Sequence, residues 1–513
     1  MTTALRRLAP AAAAALGALQ TLAFVHTWAW PLPVLTLAWL VWQWDRSSPR
    51  RAALLGWCYG SAWLCAGVWW LFISMHRYGG LPAPLAAAAV LALAAALSLY
   101  LAAAGWAYAR WRRGDLADIA LLAALWLLAE LARGVLFTGF PWLALGYSQV
   151  DSPLAALAPW VGVYGIGALA AAAAGGLVAL LCSRGRRWGA AVAVASVITA
   201  AGLASADFTR SSGEISVALL QTNVKQDEKF AAERMPQTLA WVARELLSAQ
   251  ADLVVAPETA GPLLPFQLKD FAPGYWETLQ AHFAQPGRAA LVGVPLGDFD
   301  RGYTNSVVGM SDARSAPGEP RYRYDKWHLV PFGEFIPSGF RWFTELMNIP
   351  LGDFARGVLD PPSFRVAQQR VGPNICYEDL FGEELARRFV DPATAPTVLA
   401  NISNIGWFGD TIAIAQHLNI SRLRSLELQR PMLRATNTGA TAIIDHRGRV
   451  VATLAPYTQG VLSGSVQGRD GVTPYAWWAG RAGLWPFFVL AALTAALCAF
   501  SAPSGVNARA ARR

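Results

Sequence analysis

The chain has 513 residues, of which 55% are hydrophobic and only 15% charged, with a formal net charge of +9 at pH 7. This length exceeds a single ordinary domain, and the balance of apolar to charged residues excludes a wholly soluble protein. The apolar residues are unevenly spread: residues 1–206 are mostly Ala, Leu, Val and Trp, 213–470 have ordinary globular composition, and 482–500 are apolar again.

A hydrocarbon core about 30 Å thick needs roughly 20 apolar helical residues to span it. Eight runs qualify, near 8–25, 28–44, 53–75, 83–109, 115–133, 154–182, 187–206 and 482–500. The second is short and holds Pro31 and Pro33. The first, preceded by Arg6 and Arg7, alone would pass for a signal peptide, but seven further spans favour a retained helix.

Basic residues in short loops mark the cytoplasmic side. One alternate set of loops holds Arg6 and Arg7; Arg46, Arg50 and Arg51; Arg110, Arg112 and Arg113; Arg184, Arg186 and Arg187; and Arg509, Arg512 and Arg513. The other set holds only Arg77 and Arg133. The expected organisation is therefore seven transmembrane helices in 1–206, an exported domain in 213–470, an eighth helix at 482–500 and a cytoplasmic tail at 501–513. Both termini face the cytoplasm. The positive charge is largely a topological signal, and nucleic-acid binding needs no invoking.

Within the helical block, Glu130 lies near the outer end of its span and is expected to snorkel toward the interface. "GVYGIGALAAAAAGG" (162–176) is a small-residue surface suited to close helix packing.

In the exported segment, 214–224, 251–259, 289–296, 304–310, 396–404 and 439–445 are short β-rich runs. They alternate with helical stretches at 231–249, 379–389 and 412–430, which implies an α/β domain. Arg422, Arg424 and Arg430 in and after the last helix are expected on a solvated face. No Cys or His pair in this domain has metal-ligand spacing, so no metal or cofactor is expected.

Three strand-end or loop segments carry polar exceptions: "VVAPETAGP" with Glu258, "YRYDKWHLVPFGEFIP" with Lys326 and Glu334, and "NICYEDLF" with Cys376. Separately each has a dull explanation: a helix cap, a surface lysine, a turn, a buried thiol. Cys58, Cys65, Cys182 and Cys498 fall in or beside the apolar spans, so Cys376 has no partner in the exported domain. An unpaired cysteine in an oxidising compartment is a candidate reactive thiol. A thiol attacking a carbonyl needs a base for its proton and a cation or N–H groups for the oxyanion, and Glu, Lys and Cys together fill those roles. A carboxylate suits that task where burial favours its neutral form, and the run before Glu258 is apolar. A Cys–His dyad would instead need His282, His328, His417 or His446; His328 is nearest the motifs and reads as structural.

In that order, "PETA", "DKWHLVPFGE" and "NICYED" resemble the Glu–Lys–Cys triad of the nitrilase or carbon–nitrogen hydrolase superfamily. Together with the eight spans, "TGFPWLALGYSQ" (138–149), "KWHLVPFGEFIP" (326–337), "NIGWFGD" (404–410) and "RPMLRATNTGATAIID" (430–445) make almost the whole chain similar to the bacterial apolipoprotein N-acyltransferase family. The resemblance implies a multi-span helical membrane domain joined to a nitrilase-like αββα sandwich. It further implies Cys376 as acyl-accepting nucleophile, Glu258 as general base and Lys326 as stabiliser of the charged intermediate. Glu334, Tyr377 and Glu378 match positions important in the family; Glu334 is expected to orient or charge-pair Lys326, and the N–H after Cys376 to be a second oxyanion donor. The donor implied is a membrane phospholipid and the acceptor a diacylglyceryl apolipoprotein, handled by a monomer in the bacterial inner membrane with its catalytic domain on the periplasmic side. Two departures bear on acyl-chain packing: Ala256 before "PET" and Phe230 after the first strand stand where family members often carry Trp. A membrane-anchored amidase, handing its acyl group to water, is the alternative. A transporter or receptor would leave the Glu–Lys–Cys set unexplained.

Overall fold

The computed structural model describes residues 3–182, 206–298, 300, 302–312, 322–337, 339 and 354–501, with the isolated positions 191 and 202. Two compact units divide the chain: Met1–Trp69, Pro84–Ala206 and Ala482–Arg513 form one, and Trp70–Ala83 with Asp207–Arg481 form the other. The segment Trp70–Ala83, which includes the end of the third expected span, thus belongs to the same unit as Asp207–Arg481.

The first unit is helical. Among the described residues four helical stretches are long and apolar enough to cross a membrane: Arg7–Phe24, Ala83–Trp111, Ala117–Thr138 and Pro153–Leu181. Two broken pairs, Pro49–Val68 with Leu71–Tyr78 and Pro474–Ala482 with Trp485–Phe500, raise the number to six if each is one span. The proline-bearing second run forms a helix of 14 residues, Pro31–Trp44, which rises only about 21 Å. Apart from positions 191, 202 and 206, the expected span at 187–206 lies outside the described residues, as does the tail after 501.

Small residues let these helices approach closely. A Cβ on Gly17 would stand 2.1 Å from the Tyr59 carbonyl oxygen, and one on Gly105 2.8 Å from that of Ala52. Glu130 does not snorkel. It is 3% exposed, its Oε1 accepts the Leu145 N–H at 2.7 Å, and Arg133 stands 3.8 Å away. Gly167 makes room for the carboxylate, since a Cβ there would meet Oε2 at 2.6 Å. Folding the 138–149 loop back onto the helix end supplies partners inside the bundle, so the charge need not reach for the interface.

The second unit is a sandwich of two six-stranded sheets. The first contains β1 (Thr209–Gln221), β2 (Leu253–Val255), β3 (Ala289–Asp298), β4 (Gly302–Ser311), β5 (Arg323–Asp325) and β12 (Gly460–Gly471), in the order β12-β1-β2-β3-β4-β5. The second contains β6 (Phe364–Val366), β7 (Gln369–Ile375), β8 (Val398–Ser403), β9 (Met432–Thr436), β10 (Ala442–Ile444) and β11 (Val450–Thr453), in the order β11-β10-β9-β8-β7-β6. Each sheet has three parallel strands at its centre, β1-β2-β3 and β7-β8-β9, flanked by antiparallel ones.

Alternate residues of the central strands fill the space between the sheets. Val217, Leu219, Val255 and Leu291 of the first face Ile375, Ala400, Ile402 and Leu433 of the second in one buried cluster. A fully buried Val or Leu of this kind contributes about 1.5–3 kcal/mol. On the outer face of the first sheet, Val254 and Val292 pack with Val242 and Leu246 of the helix Met235–Ser248 and with Leu279 and Phe283 of the helix Tyr275–Phe283. Leu399, Met432 and Ile444 on the outer face of the second pack with Leu385, Leu428 and Tyr475 from the helices that cover it. The layers are α, β, β, α.

Arg424 and Arg430 are not on a solvated face; both are fully buried. Arg424 pairs with Glu427 at 2.9 Å, beside Gly382, whose missing Cβ leaves room for the guanidinium. Arg430 donates to the Pro396 carbonyl at 2.6 Å and lies over the Phe389 ring. Arg422 is half-buried and donates to the Gly448 carbonyl at 2.8 Å.

Candidate active site

Three strand ends of the sandwich bring the polar exceptions together. Glu258 follows β2, Lys326 follows β5 and Cys376 follows β7. The chain after β2 crosses β3 at Gly293, where a Cβ would meet the Pro257 carbonyl oxygen at 2.4 Å and the Glu258 Cα at 2.8 Å. Only glycine admits that approach. Lys326 continues from β5 with its N–H on the Asn305 carbonyl at 2.8 Å.

Lys326 is 1% exposed. Its Nζ lies 2.9 Å from Glu334 Oε2 and 3.7 Å from Glu258 Oε1. Asn305 on β4 joins the two carboxylates, its Nδ2 donating at 2.7 Å both to Glu258 Oε1 and to Glu334 Oε1. The second oxygen of Glu258 accepts the Asn404 N–H at 2.7 Å, and that of Glu334 accepts the Val330 N–H at 2.9 Å. Both carboxylates are thus held at both oxygens.

Burial acts on each shifted group of the cluster, and neighbouring charges add to it or oppose it. Burial pushes the Cys376 thiol up to about 12, the charge of Glu258 adds to the effect, and Lys326 opposes it. At neutral pH the sulfur is therefore a thiol rather than a thiolate. Burial works against the Lys326 ammonium, but Glu334 and Glu258, aided by Cys376 and Glu378, hold its proton more tightly than usual. A second cation, Lys229, was not singled out by sequence. It is 6% exposed and donates to the Glu258 carbonyl oxygen at 3.0 Å; burial pulls it down to about 8, against the attraction of Glu258 and Cys376.

Glu378 stands apart from this cluster as a clamp. It accepts the N–H groups of Ile375 and Trp327 at 2.7 Å and that of His328 at 3.2 Å, and it also accepts the Tyr324 hydroxyl. It therefore ties the chain that bears Lys326 to the chain that bears Cys376. Tyr377 is buried, its ring edge-on to Phe381. His328 stacks on Phe381 and pairs with Glu384 at 3.0 Å, and His417 Nε2 faces the Cys376 carbonyl oxygen at 3.2 Å. Of the two departures, Ala256 is fully buried among the outer-face residues of the first sheet, and Phe230 is half exposed. Among the described residues no group of three or more His, Cys, Asp or Glu side chains is arranged to hold a metal.

A two-sheet sandwich with Glu, Lys and Cys gathered at its strand ends defines a nitrilase-like domain, and residues 216–474 match the family described as Carbon-nitrogen hydrolase. Residues 16–176 match the Apolipoprotein N-acyltransferase N-terminal domain. A protein of Verminephrobacter eiseniae named Apolipoprotein N-acyltransferase is 54% identical over 486 residues, 89% of this chain and 89% of its own. Like-named proteins of Ralstonia nicotianae and Nitrosomonas europaea are 46% and 40% identical, covering 91% and 96% of this chain and 90% and 97% of theirs. The chain belongs to the apolipoprotein N-acyltransferase family and is an acyltransferase.

Proposed function

We propose that the protein moves a fatty acyl chain from a membrane phospholipid to the N-terminal amine of a diacylglyceryl cysteine on an apolipoprotein, through a thioester on Cys376. The convergence of the half-buried Cys376 with the buried Glu258 and Lys326, whose charges act on its thiol, in a chain of this family, carries the proposal.

In the first half-reaction Glu258 takes the Sγ proton as sulfur attacks the ester carbonyl. Lys326 and the Tyr377 N–H receive the oxyanion. The ester C–O bond breaks, the proton passes from Glu258 to the leaving alkoxide, and a lysophospholipid departs. In the second, the neutral amine of the acceptor attacks the thioester, Glu258 takes its proton, and the C–S bond breaks as an amide forms. The proton returns to sulfur. Glu334 holds Lys326 in place, and Glu378 fixes the loop between them.

Donor and acceptor are both lipid-bound, and the apolar helices keep the enzyme where they are. The alternating arginine loops support eight spans, both termini in the cytoplasm and the nitrilase-like domain on the periplasmic face of the inner membrane. One copy of the chain supplies every residue named.

The test is the mass of the intact protein after exposure to phospholipid. A fatty-acyl increment on Cys376, absent from Cys376→Ala, is expected. Full turnover by Cys376→Ala would overturn the mechanism.

A further inference from the structure

Cys376 sits at φ = +51°, in the left-handed region that non-glycine residues rarely adopt. Such strain persists only where the surroundings over-determine it, and a buried polar assembly faces the backbone of this residue. Two donors converge on its carbonyl oxygen: Asn401 Nδ2 at 3.1 Å and His417 Nε2 at 3.2 Å.

The chemistry of the neighbours fixes both donors. Arg434 is fully buried, and its Nη2 lies 3.2 Å from His417 Nδ1. A guanidinium can only donate, so Nδ1 must accept and the ring hydrogen must be on Nε2. His417 is thereby a neutral donor, shared between the Cys376 carbonyl and Asp379 Oδ1, the latter at 3.0 Å. By the same rule Asn401 turns Oδ1 toward Arg434 Nη1, 3.5 Å away. Its two amide hydrogens then go to Asn374 Oδ1 at 2.6 Å and to the Cys376 carbonyl. Asp379 closes the assembly, accepting from Arg434 at 3.4 Å and from the Ser421 hydroxyl.

We propose that His417 and Asn401, aligned by the buried Arg434–Asp379 pair, are positioning residues that hold the strained backbone of Cys376 so that its thiol meets an acyl carbonyl in one fixed direction. This rests on Cys376 being the nucleophile. Neither residue touches the reacting atoms: His417 offers its hydrogen to the carbonyl oxygen of the residue whose sulfur reacts. Holding that peptide fixes the Cα–Cβ direction, and the thiol then has only its rotamer left to set.

Two substitutions at one position separate this role from mere packing. In His417→Gln the side-chain nitrogen reaches as far as Nε2, so a donor to the Cys376 carbonyl remains. In His417→Asn the shorter side chain keeps an acceptor for Arg434 near Nδ1 but no donor for the carbonyl. Full-length protein in detergent is mixed with dioleoyl phosphatidylethanolamine dispersed in mixed micelles of the same detergent, and the oleoyl increment on Cys376 is timed by intact mass over a single turnover. His417→Asn should acylate roughly a hundredfold more slowly at saturating lipid, as small misplacements of a reacting group do. Half-saturation should stay within about twofold, because lipid binding is untouched. His417→Gln should recover most of the rate. Asn401→Ser, which leaves the histidine, arginine and aspartate in place, should lose rate as His417→Asn does, and it carries the test if His417→Asn does not fold. Wild-type rates in folded His417→Asn or Asn401→Ser, or equal losses in the Gln and Asn variants that merely follow their melting temperatures, would overturn the proposal. Absence of any increment on wild-type Cys376 would instead overturn the nucleophile assignment itself.

Discussion

Lys229 donates its ammonium hydrogen bond to the backbone carbonyl of Glu258 at 3.0 Å, in a site where the lysine is almost fully buried. Burial lowers its proton affinity to about 8 in the folded protein, whereas an exposed lysine holds its proton to about 10.4. Between those values the unfolded chain binds more protons than the folded one, so this group adds stability as pH rises above about 8. The test compares melting temperatures of wild type and Lys229→Met in detergent at pH 7 and pH 9, a window in which the Cys376 thiol stays protonated. Wild type should gain on the variant by on the order of 1 kcal/mol by pH 9, or about 2–4 °C for a domain of this size. A pH-independent difference would mean that Lys229 titrates alike in both states.

Asn305 separates Glu258 from Glu334 with one amide nitrogen. Asn305→Asp keeps the shape but replaces two N–H donors by a third negative charge. Acylation of Cys376 should fall about 100–1000-fold at pH 8, as it does when a preorganised donor is lost from a catalytic site. Like charges sharing a site raise one proton affinity, so the variant should recapture a proton as the pH is lowered toward 5.5 and re-form one hydrogen bond. The ratio of wild-type to variant rate should therefore shrink in acid. A ratio constant from pH 8 to pH 5.5 would count against Asn305 acting through these carboxylates.

Lys326 is the cation that opposes both burial and Glu258 at the Cys376 thiol. Lys326→Met keeps the buried stem but removes that opposition, so the thiolate becomes scarcer still. Alkylation of Cys376 by iodoacetamide at pH 9, followed on its own peptide, should slow by about tenfold or more. Phospholipid turnover should be lost by orders of magnitude in the same sample. Undiminished alkylation would show that the ammonium does not act on the sulfur.

Orientation has its own test. A reporter fused near residue 300 should be active only outside the cytoplasm if the arginine-rich loops lie inside. Activity confined to the cytoplasm would reverse the topology.

The residues that announce themselves in sequence are those whose motifs are contiguous: Glu258, Lys326, Glu334 and Cys376 each stand out as a polar group at the end of an apolar run. Asn305 and Asn404 do not, because an asparagine inside "TNSVVGM" or "SNIGWFGD" resembles an edge or turn residue until the strands are paired. The Asn401, His417 and Arg434 assembly is still less legible, since its members come from β8, a helix and β9 and meet only through tertiary packing. Glu130 illustrates the opposite failure. Its position near a helix end suggests an interface, and nothing local reveals that Gly167 and the Leu145 N–H enclose it. β7 escaped as a strand because "VGPNI" contains Gly372 and Pro373, both poor strand formers, although Pro373 needs no N–H there: β6 pairs only as far as Val371, and the Pro373 carbonyl accepts from Arg388 at 2.6 Å.

The final prediction concerns how the acyl-enzyme discharges. Hydrolase and transferase share the same three residues, so the acceptor rather than the triad decides the product. Cys376 packs against the apolar core between the sheets, which should limit bulk water at a thioester formed there, and such an intermediate should persist until an amine enters. That amine must be neutral to attack, so transfer should fall in acid as the acceptor gains a proton. The experiment forms the acyl-enzyme, removes free phospholipid, and adds either buffer or a diacylglyceryl-cysteine peptide with a free N-terminus. A thioester that survives in buffer and is discharged by the peptide into an amide, faster at pH 8 than at pH 6, is expected. Rapid release of free fatty acid into buffer, with no amide on the peptide, would assign the second half-reaction to water.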